Sequence, residues 1–384
     1  MRILVLGAGF GGLELTTTLA EEFGGELEIT LIDKTESFVF GFSKLDVMYG
    51  RVDEDHVKHR YADLVKPGVT FVKAEITKID GAAKRVETSA GEFEADILVV
   101  GLGADLDCSV TPGLNVGVNE FYTEAGAFAQ RARIDAFAGG RVVIGVISAP
   151  FKCPPAPSEA ALLMHDHLNR AGLREQSSVS LVMPFGRPIP PSPDASAALI
   201  EAFGRRDIGW HPNTAIVSVD DDRGIATTDS GEEIAYDLFL GVPHHRAPRV
   251  VLDSDISSDG WIPVSPLTLE TPFDGIYAVG DVAAVGTPKA GVFAEGQAAA
   301  AARHIAARIR GEVSDAGYYG HGVCYLEFGE NEVGKVDVTF FGESKTAQLI
   351  GPAEGFAADK LEFGTSRVKR WFGNDWTAVQ NFPA

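Results

Sequence analysis

Short continuous apolar runs alternate along this chain with stretches whose apolar positions recur at helical spacing. Residues 2–6 predict a buried strand, residues 13–23 a helix with Leu13, Leu15 and Leu19 on its apolar positions, and residues 27–32 a second strand. Two short strands are predicted over 69–80, then a hairpin over 85–94 around Ala90-Gly91. Ala95-Asp-Ile-Leu-Val-Val-Gly-Leu-Gly103 reads as a buried strand ending on glycines. The pattern then starts afresh: helix 124–137, strand 140–147, helix 159–171, strand 179–183 and helix 195–203, the last capped by Asp194. Short strands and turns fill 214–237. The apolar run 238–242 reads as the return into the first unit. A strand over 273–279, a helix over 294–309 and strands over 322–328 and 335–341 follow. In the tail, Leu361, Val368 and Phe372 stand at helical spacing.

Strands alternating with helices imply an α/β protein with mostly parallel sheets. The expected architecture is two Rossmann-like dinucleotide-binding domains plus a small C-terminal region. The first domain is assembled from 1–105 and 236–322, the second spans 106–235, and 323–384 forms the C-terminal region.

Chemistry enters at the first strand–helix junction. The strand runs into Gly7-Ala-Gly9-Phe-Gly-Gly12. Gly7 permits the tight turn, Gly9 lets a pyrophosphate approach the backbone, and Gly12 lets the helix pack close on the sheet. The helix N-terminus offers free N–H groups to an anion. Asp33, at the end of the second strand, is placed to accept from a ribose hydroxyl. A second signal is the strand ending on Gly280-Asp281, followed by Lys289-Ala-Gly291-Val292-Phe before a helix whose positive end would stabilise a reduced flavin. In this it is similar to two-dinucleotide-fold flavoproteins, where that aspartate meets the ribityl chain. Non-covalent FAD is the expected cofactor. Its candidate contacts are Gly7, Gly9, Phe10, Gly12, Asp33, Lys34, Ile76, Gly103, Gly280, Asp281, Lys289, Gly291 and Val292. The aromatic stretch Phe38-Val-Phe-Gly-Phe lies along the isoalloxazine or is simply a hydrophobic loop.

The second unit lacks its nucleotide fingerprint. The strand over 140–147 runs into Ser148-Ala-Pro-Phe-Lys-Cys153-Pro-Pro-Ala-Pro-Ser-Glu159, and prolines have no N–H to give a pyrophosphate. The next strand ends on Pro184-Phe-Gly-Arg187, without an acid for a ribose. This argues against NAD(P)H as a tightly held substrate. His165 and His167, two apart on a helix, make a poor metal pair, His244 and His245 read as loop histidines, and no metal motif is visible.

A chain of 384 residues with net charge −21 does not suit nucleic acid. No apolar run reaches membrane-spanning length. A first strand starting at Arg2 leaves no room for a leader, so a cytoplasmic setting is expected. The tail's Arg367, Lys369, Arg370 and Trp371 allow either a helix packed on the body, the reading preferred here, or contact with the inner face of the plasma membrane. Three cysteines, Cys108, Cys153 and Cys324, are too few for a disulfide scaffold and suit catalysis better.

Together these residues resemble the sulfide:quinone oxidoreductase and flavocytochrome c sulfide dehydrogenase branch of the two-dinucleotide-fold flavoproteins, over nearly the whole chain. The resemblance rests on Gly7, Gly9, Gly12, Asp33, Gly280-Asp281, Lys289-Ala-Gly291, Cys324-Tyr and above all Cys153-Pro-Pro-Ala-Pro with Glu159 six residues on. It implies a Cys153–Cys324 redox pair over the flavin, opened by hydrosulfide, with Cys324 on the flavin side and Glu159 handling protons. It implies a small sulfur species as substrate and a quinone or separate electron carrier as acceptor. A second copy of the chain is a further candidate partner. The chain departs from the group in lacking a flavin-attaching cysteine and a haem-binding Cys-x-x-Cys-His, and Cys108 sits in surroundings that match poorly. Two other readings remain: an NAD(P)H-dependent flavoprotein such as a type II NADH:quinone oxidoreductase or ferredoxin reductase, and a redox sensor or electron-transfer partner that does not turn over.

Overall fold

The computed structural model describes residues 1–314, 317–343 and 345–378. Two parallel sheets form its frame. The first has the order Ile276–Ala278, Ile97–Val100, Arg2–Leu6, Glu28–Asp33, Val69–Lys73, with every pair parallel. Its inner strands are apolar and almost wholly buried, Ile97–Val100 along its full length and Arg2–Leu6 beyond Arg2, as strands inside a covered parallel sheet are. Phe10–Phe23 and Gly291–Arg310 pack against each other beside it. The second sheet has the order Ile208–His211, Ser177–Val182, Gly140–Val146, Leu238–Val242, again all parallel.

The last of these strands departs from the sequence expectation. Leu238–Val242 does not re-enter the first unit but completes the second sheet, with Val143 opposite Phe239 and Gly145 opposite Gly241. All five of its residues are buried. A strand buried on both faces carries no mark of which parallel sheet will take it. The chain crosses back just afterwards, where His244–Arg246 pairs antiparallel with Asp105–Asp107.

Helix ends shift for local reasons. The first helix starts at Phe10 rather than 13, since the fingerprint glycines form its opening turn. The helix Pro193–Arg205 is capped by the Ser192 hydroxyl, which accepts from the Ala195 N–H, and not by Asp194. Proline at the first helical position moves the cap two residues earlier than the acidic residue suggests.

A three-stranded antiparallel sheet, His321–Gly329, Glu332–Thr339 and Thr346–Ala353, leads into the helix Phe356–Phe372. This region closes the gap between the two units. Leu326, Phe328, Val336 and Val338 join the core of the second, while Val368, Trp371 and Phe372 join that of the first. Trp371 is fully buried, edge-on to Phe10 and Phe38, with its indole N–H on Glu14 at 2.9 Å. Arg367 pairs with Glu295, and Arg370 with Glu14 and Glu21. The Trp-bearing face of the tail is therefore packed on the body. No helix among the described residues is long and apolar enough to cross a membrane.

Candidate functional site

The turn between Leu6 and Phe10 has the shape a dinucleotide needs. Gly7 sits at φ +94°, a left-handed conformation that favours glycine. A Cβ on Gly12 would lie 1.9 Å from the Gly7 carbonyl oxygen, so the helix can sit this close only with glycine there. At Gly9 and Gly103 a Cβ would meet nothing within 4 Å. The backbone faces open space at both, where a phosphate could approach. The first-turn N–H groups of Phe10–Phe23 have no partner within the helix. Asp33 accepts from the Ala8 N–H at 2.8 Å and from both the N–H and hydroxyl of Thr35, which fixes its carboxylate beside this turn. Three of about four acceptor positions are filled, leaving one on Oδ2 for a hydroxyl. These residues fit an FAD.

From this turn a cavity of about 310 Å³ runs between the two units and the C-terminal region. Gly9, Phe10, Gly103, Gly280, Asp281, Gly291 and Val292 line it, which gathers most of the expected cofactor contacts on one wall. Phe38, Val39 and Phe42 line it too, while Phe40 is wholly buried against Trp371 and Trp376. The aromatic stretch is thus both cavity wall and core. Lys289 bonds the Asp281 carbonyl and lies 3.4 Å from the Trp261 ring centroid. Burial lowers its ammonium to about 8. Two of the expected contacts lie elsewhere. Lys34 is exposed in a shallow hollow with Glu36, Lys73 and Glu124, and Ile76 opens an edge strand opposite Thr88.

Cys153, Cys324 and Glu159 all face this same cavity. Cys153 precedes the helix Ala156–Arg170, at φ +53°, an uncommon backbone state for a non-glycine residue. Its N–H is held by the Lys289 carbonyl at 2.7 Å and its carbonyl receives the Ala156 N–H at 2.9 Å. Cys153 shares the cavity lining with Gly280 and Gly291. Cys324 lies on the strand His321–Gly329, paired with Val336. Both are free thiols here. Burial raises both, Cys324 to about 12, and Cys153 is pushed further by Glu159 and by charge on Cys324, so the two sulfurs share one field. Cys108 is buried apart, among Leu114, Val143 and Phe239.

The second nucleotide turn is closed. Where a pyrophosphate would dock at the start of Ala156–Arg170, Pro154, Pro155 and Pro157 carry no N–H. The remaining N–H groups of the turn are taken: Ala156 by Cys153, Ser158 and Glu159 by Pro155. Phe151 fills the approach, 3% exposed.

A group that sequence reasoning missed surrounds Glu159. Glu159 is 3% exposed, and its Oε1 accepts from the Glu327 N–H at 3.0 Å. The Glu327 side chain takes Lys360 on one oxygen and Arg51 on the other, at 2.7 Å for the latter. Arg51 also reaches Asp46 at 3.1 Å. Three carboxyls, Glu159, Glu327 and Asp46, thus gather around Arg51 and Lys360. Burial raises Glu327, but Arg51 and Lys360 outweigh it and hold it well down. Burial lifts Asp46 to about 6, opposed by Arg51. Burial lifts Glu159 to about 7, opposed by Lys360 and aided by Glu327. Of the three, Glu159 lines the cavity and stands highest.

Lys44, Lys152, Tyr122 and Phe363 also line the cavity and were not signalled by any motif. Lys152 alone stood beside a singled-out residue. Lys360 occupies the buried face of its helix with Gly364, Val368 and Trp371, a position that periodicity assigns to an apolar side chain. His245 is buried with Nδ1 at 2.8 Å from the Pro243 carbonyl, and burial followed by Lys152 lowers it to about 3.

Among solved structures, the sulfide:quinone oxidoreductase of the hyperthermophilic bacterium Aquifex aeolicus is similar at TM-score 0.85 and 22% identity, over 96% of this chain and 92% of that one. NDH2 from Plasmodium falciparum in complex with NADH is similar at TM-score 0.74 and 11% identity, over 97% and 96%. These likenesses carry the fold. By sequence, 104 residues are 42% identical to the type II NADH:quinone oxidoreductase of Staphylococcus saprophyticus, which is 27% of this chain and about a quarter, 26%, of that protein. The model of the pyridine nucleotide-disulphide oxidoreductase family matches residues 1–304. The chain has that family's two-domain α/β fold: it belongs to the pyridine nucleotide-disulphide oxidoreductase family.

Proposed function

We propose that this chain uses non-covalent FAD to oxidise sulfide, or a related small sulfur species, through Cys153 and Cys324, and passes the electrons to a quinone or another carrier. The observation that carries this reading is that both cysteines and Glu159 line one cavity with Gly280, Asp281 and Gly291. Bound there, FAD supplies a two-electron acceptor. Hydrosulfide attacks Cys153 of a Cys153–Cys324 disulfide, so the S–S bond breaks, Cys153 becomes a persulfide and Cys324 leaves as a thiolate. Cys324 would then close on the outer persulfide sulfur to give a trisulfide, Glu159 would take the persulfide proton, and the two electrons released are those that a bound FAD would accept. Asp281 and the Lys289 ammonium hold the cofactor end of the cavity.

A second reading draws on the 104 residues shared with a type II NADH:quinone oxidoreductase. In it, NADH reduces the flavin directly. The occupied N–H groups at the second nucleotide turn weigh against it. Anaerobic titration separates the two. Sulfide should bleach the oxidised flavin spectrum and NADH should not. Cys153→Ser should keep the flavin and lose the sulfide response. Bleaching by NADH alone would overturn the proposal in favour of the second reading, and undiminished sulfide turnover in Cys153→Ser would overturn the cysteine mechanism.

A further inference from the structure

Two lysines face the cavity on the Cys153 side, and neither has a role in the reaction so far described. Lys44 rises from the helix Gly41–Met48, and its ammonium donates to the Tyr122 carbonyl. Lys152 immediately precedes Cys153 and has no hydrogen-bond or ion-pair partner among the described residues. An ammonium lining a mostly apolar cavity with no counter-ion in contact is costly unless an anion comes to it. The nearby acids do not serve as that anion. The Glu120 carboxylate is occupied by the Tyr122 N–H at 2.7 Å, the Thr123 N–H at 2.9 Å and the Thr123 hydroxyl. Charge on Asp281, then on Asp105 and Glu120, favours the Lys152 ammonium, but none of the three makes an ion pair with it among the described residues.

Both ammonium groups act on Cys153. Each is drawn towards the charged form by a Cys153 thiolate, and the two repel each other. Burial lowers both, Lys44 to about 8, which leaves Lys44 largely charged at neutral pH. Both lysines share this cavity with Cys153, Glu159 and Cys324.

From this placement we infer that Lys44 and Lys152 form a seat for a small sulfur anion beside Cys153, so that the substrate is taken as hydrosulfide rather than as neutral hydrogen sulfide. The inference rests on the sulfide reading for its substrate, but the seat itself is a property of the cavity. When hydrosulfide attacks Cys153, its negative charge passes to the departing Cys324 sulfur. The lysines hold the anion at the start of that transfer and undergo no bond change themselves.

The first test is independent of turnover. In the flavin-loaded Cys324→Ser protein, Cys153 is alkylated with iodoacetate and, separately, with iodoacetamide, and the modified peptide is quantified by mass. The seat favours the anionic reagent, so Lys152→Met should lower the iodoacetate-to-iodoacetamide rate ratio roughly tenfold, the order expected for one lost charge-assisted contact. Lys152→Arg should keep most of the ratio. An unchanged ratio in Lys152→Met overturns the seat. The second test uses the Cys324-containing holoprotein. Lys152→Met should raise the sulfide concentration giving half-maximal flavin reduction roughly tenfold, and thiocyanate should compete with sulfide in the parent but not in the variant. A change only in the limiting rate, with no competition by thiocyanate, also overturns it. If sulfide fails to reduce the parent flavin while the alkylation ratio responds to Lys152, the sulfide reading falls and the anion seat stands.

Discussion

Removing the Lys360 ammonium should move the proton on Glu159. Lys360 is buried and bonded to Glu327, and it is the largest influence opposing the rise that burial imposes on Glu159. A cation close to a buried carboxyl holds its pKa down by roughly 1–3 units. In Lys360→Met, Glu159 should therefore rise above about 7 by that amount. If Glu159 accepts a proton during sulfide oxidation, the rate falls on the acid side of its pKa. That limb should shift to higher pH, and at neutral pH the rate of flavin reduction should drop by about tenfold or more. The single variant leaves three carboxyls with only Arg51, and breaking such a buried pair costs about 3–5 kcal/mol, so folding must be checked. The double variant Lys360→Met/Glu327→Gln removes one charge of each sign and restores the balance. Glu159 then loses an attractive and a repulsive neighbour together, and its limb should return towards the parent position. The assay is stopped-flow reduction of the bound flavin by sulfide from pH 5 to 10, with flavin content and unfolding midpoint measured alongside. A folded, flavin-loaded Lys360→Met whose acid limb does not move would refute the idea that this network sets Glu159. A double variant displaced as far as the single one would refute the charge-balance argument.

Other outcomes follow from single contacts. Gly12→Ala should destabilise the fold by several kcal/mol, because its methyl would collide with the Gly7 carbonyl oxygen; thermal unfolding measures it. Gly9→Ala, with open space around its Cβ, should leave unfolding nearly unchanged yet lose flavin, since the methyl would occupy the approach to the backbone; flavin content after gel filtration reports this. Ser192→Ala should cost about 1 kcal/mol and Asp194→Ala much less, since the serine is the cap; denaturant midpoints separate them. Glu159 keeps its proton on folding, from an ordinary 4.5 up to about 7, so its ionisation weakens the folded state as pH rises through that window. Glu159→Gln should flatten the decline in stability across it, read from unfolding midpoints at stepped pH.

The first dinucleotide unit is legible in the sequence because each of its parts is a local necessity. Gly7 needs a left-handed turn, Gly12 has a carbonyl where its side chain would be, and Asp33 ends a strand at a fixed distance along the chain. The cysteines are legible for another reason, namely their rarity and the proline-rich turn around Cys153. What is not legible is long-range. Arg51 and Glu327 stand 276 positions apart, and Glu159 meets the Glu327 backbone across 168. No spacing rule joins such residues. Lys360 is misread for the opposite reason: periodicity assigns its face correctly, but a buried charge is intelligible only once its partner is known. The strand Leu238–Val242 shows the same limit at the level of topology, since five buried residues suit either sheet.

The turn from Cys153 to Glu159 ties these strands of argument together. In a nicotinamide-binding unit, the opening turn of a helix at this place keeps its N–H groups free for a pyrophosphate. Here the prolines remove some of those donors and the Cys153 and Pro155 carbonyls consume the rest. The same bonds hold Cys153 at an unfavourable φ of +53° with its thiol in the cavity, and start the helix so that Glu159 falls in its first turn, facing that cavity as well. Closing the nucleotide site and presenting the thiol are therefore one structural event. A variant that reopens the turn with glycines, Pro154→Gly/Pro155→Gly/Pro157→Gly, should free donors for an anion and at the same time release Cys153 from its fixed position. It should lose sulfide-driven flavin reduction far more than it loses flavin, measured on the same sample. Full retention of the sulfide response in a folded triple variant would mean that the thiol is placed by the Lys289 carbonyl alone, and that the prolines serve only to exclude the dinucleotide.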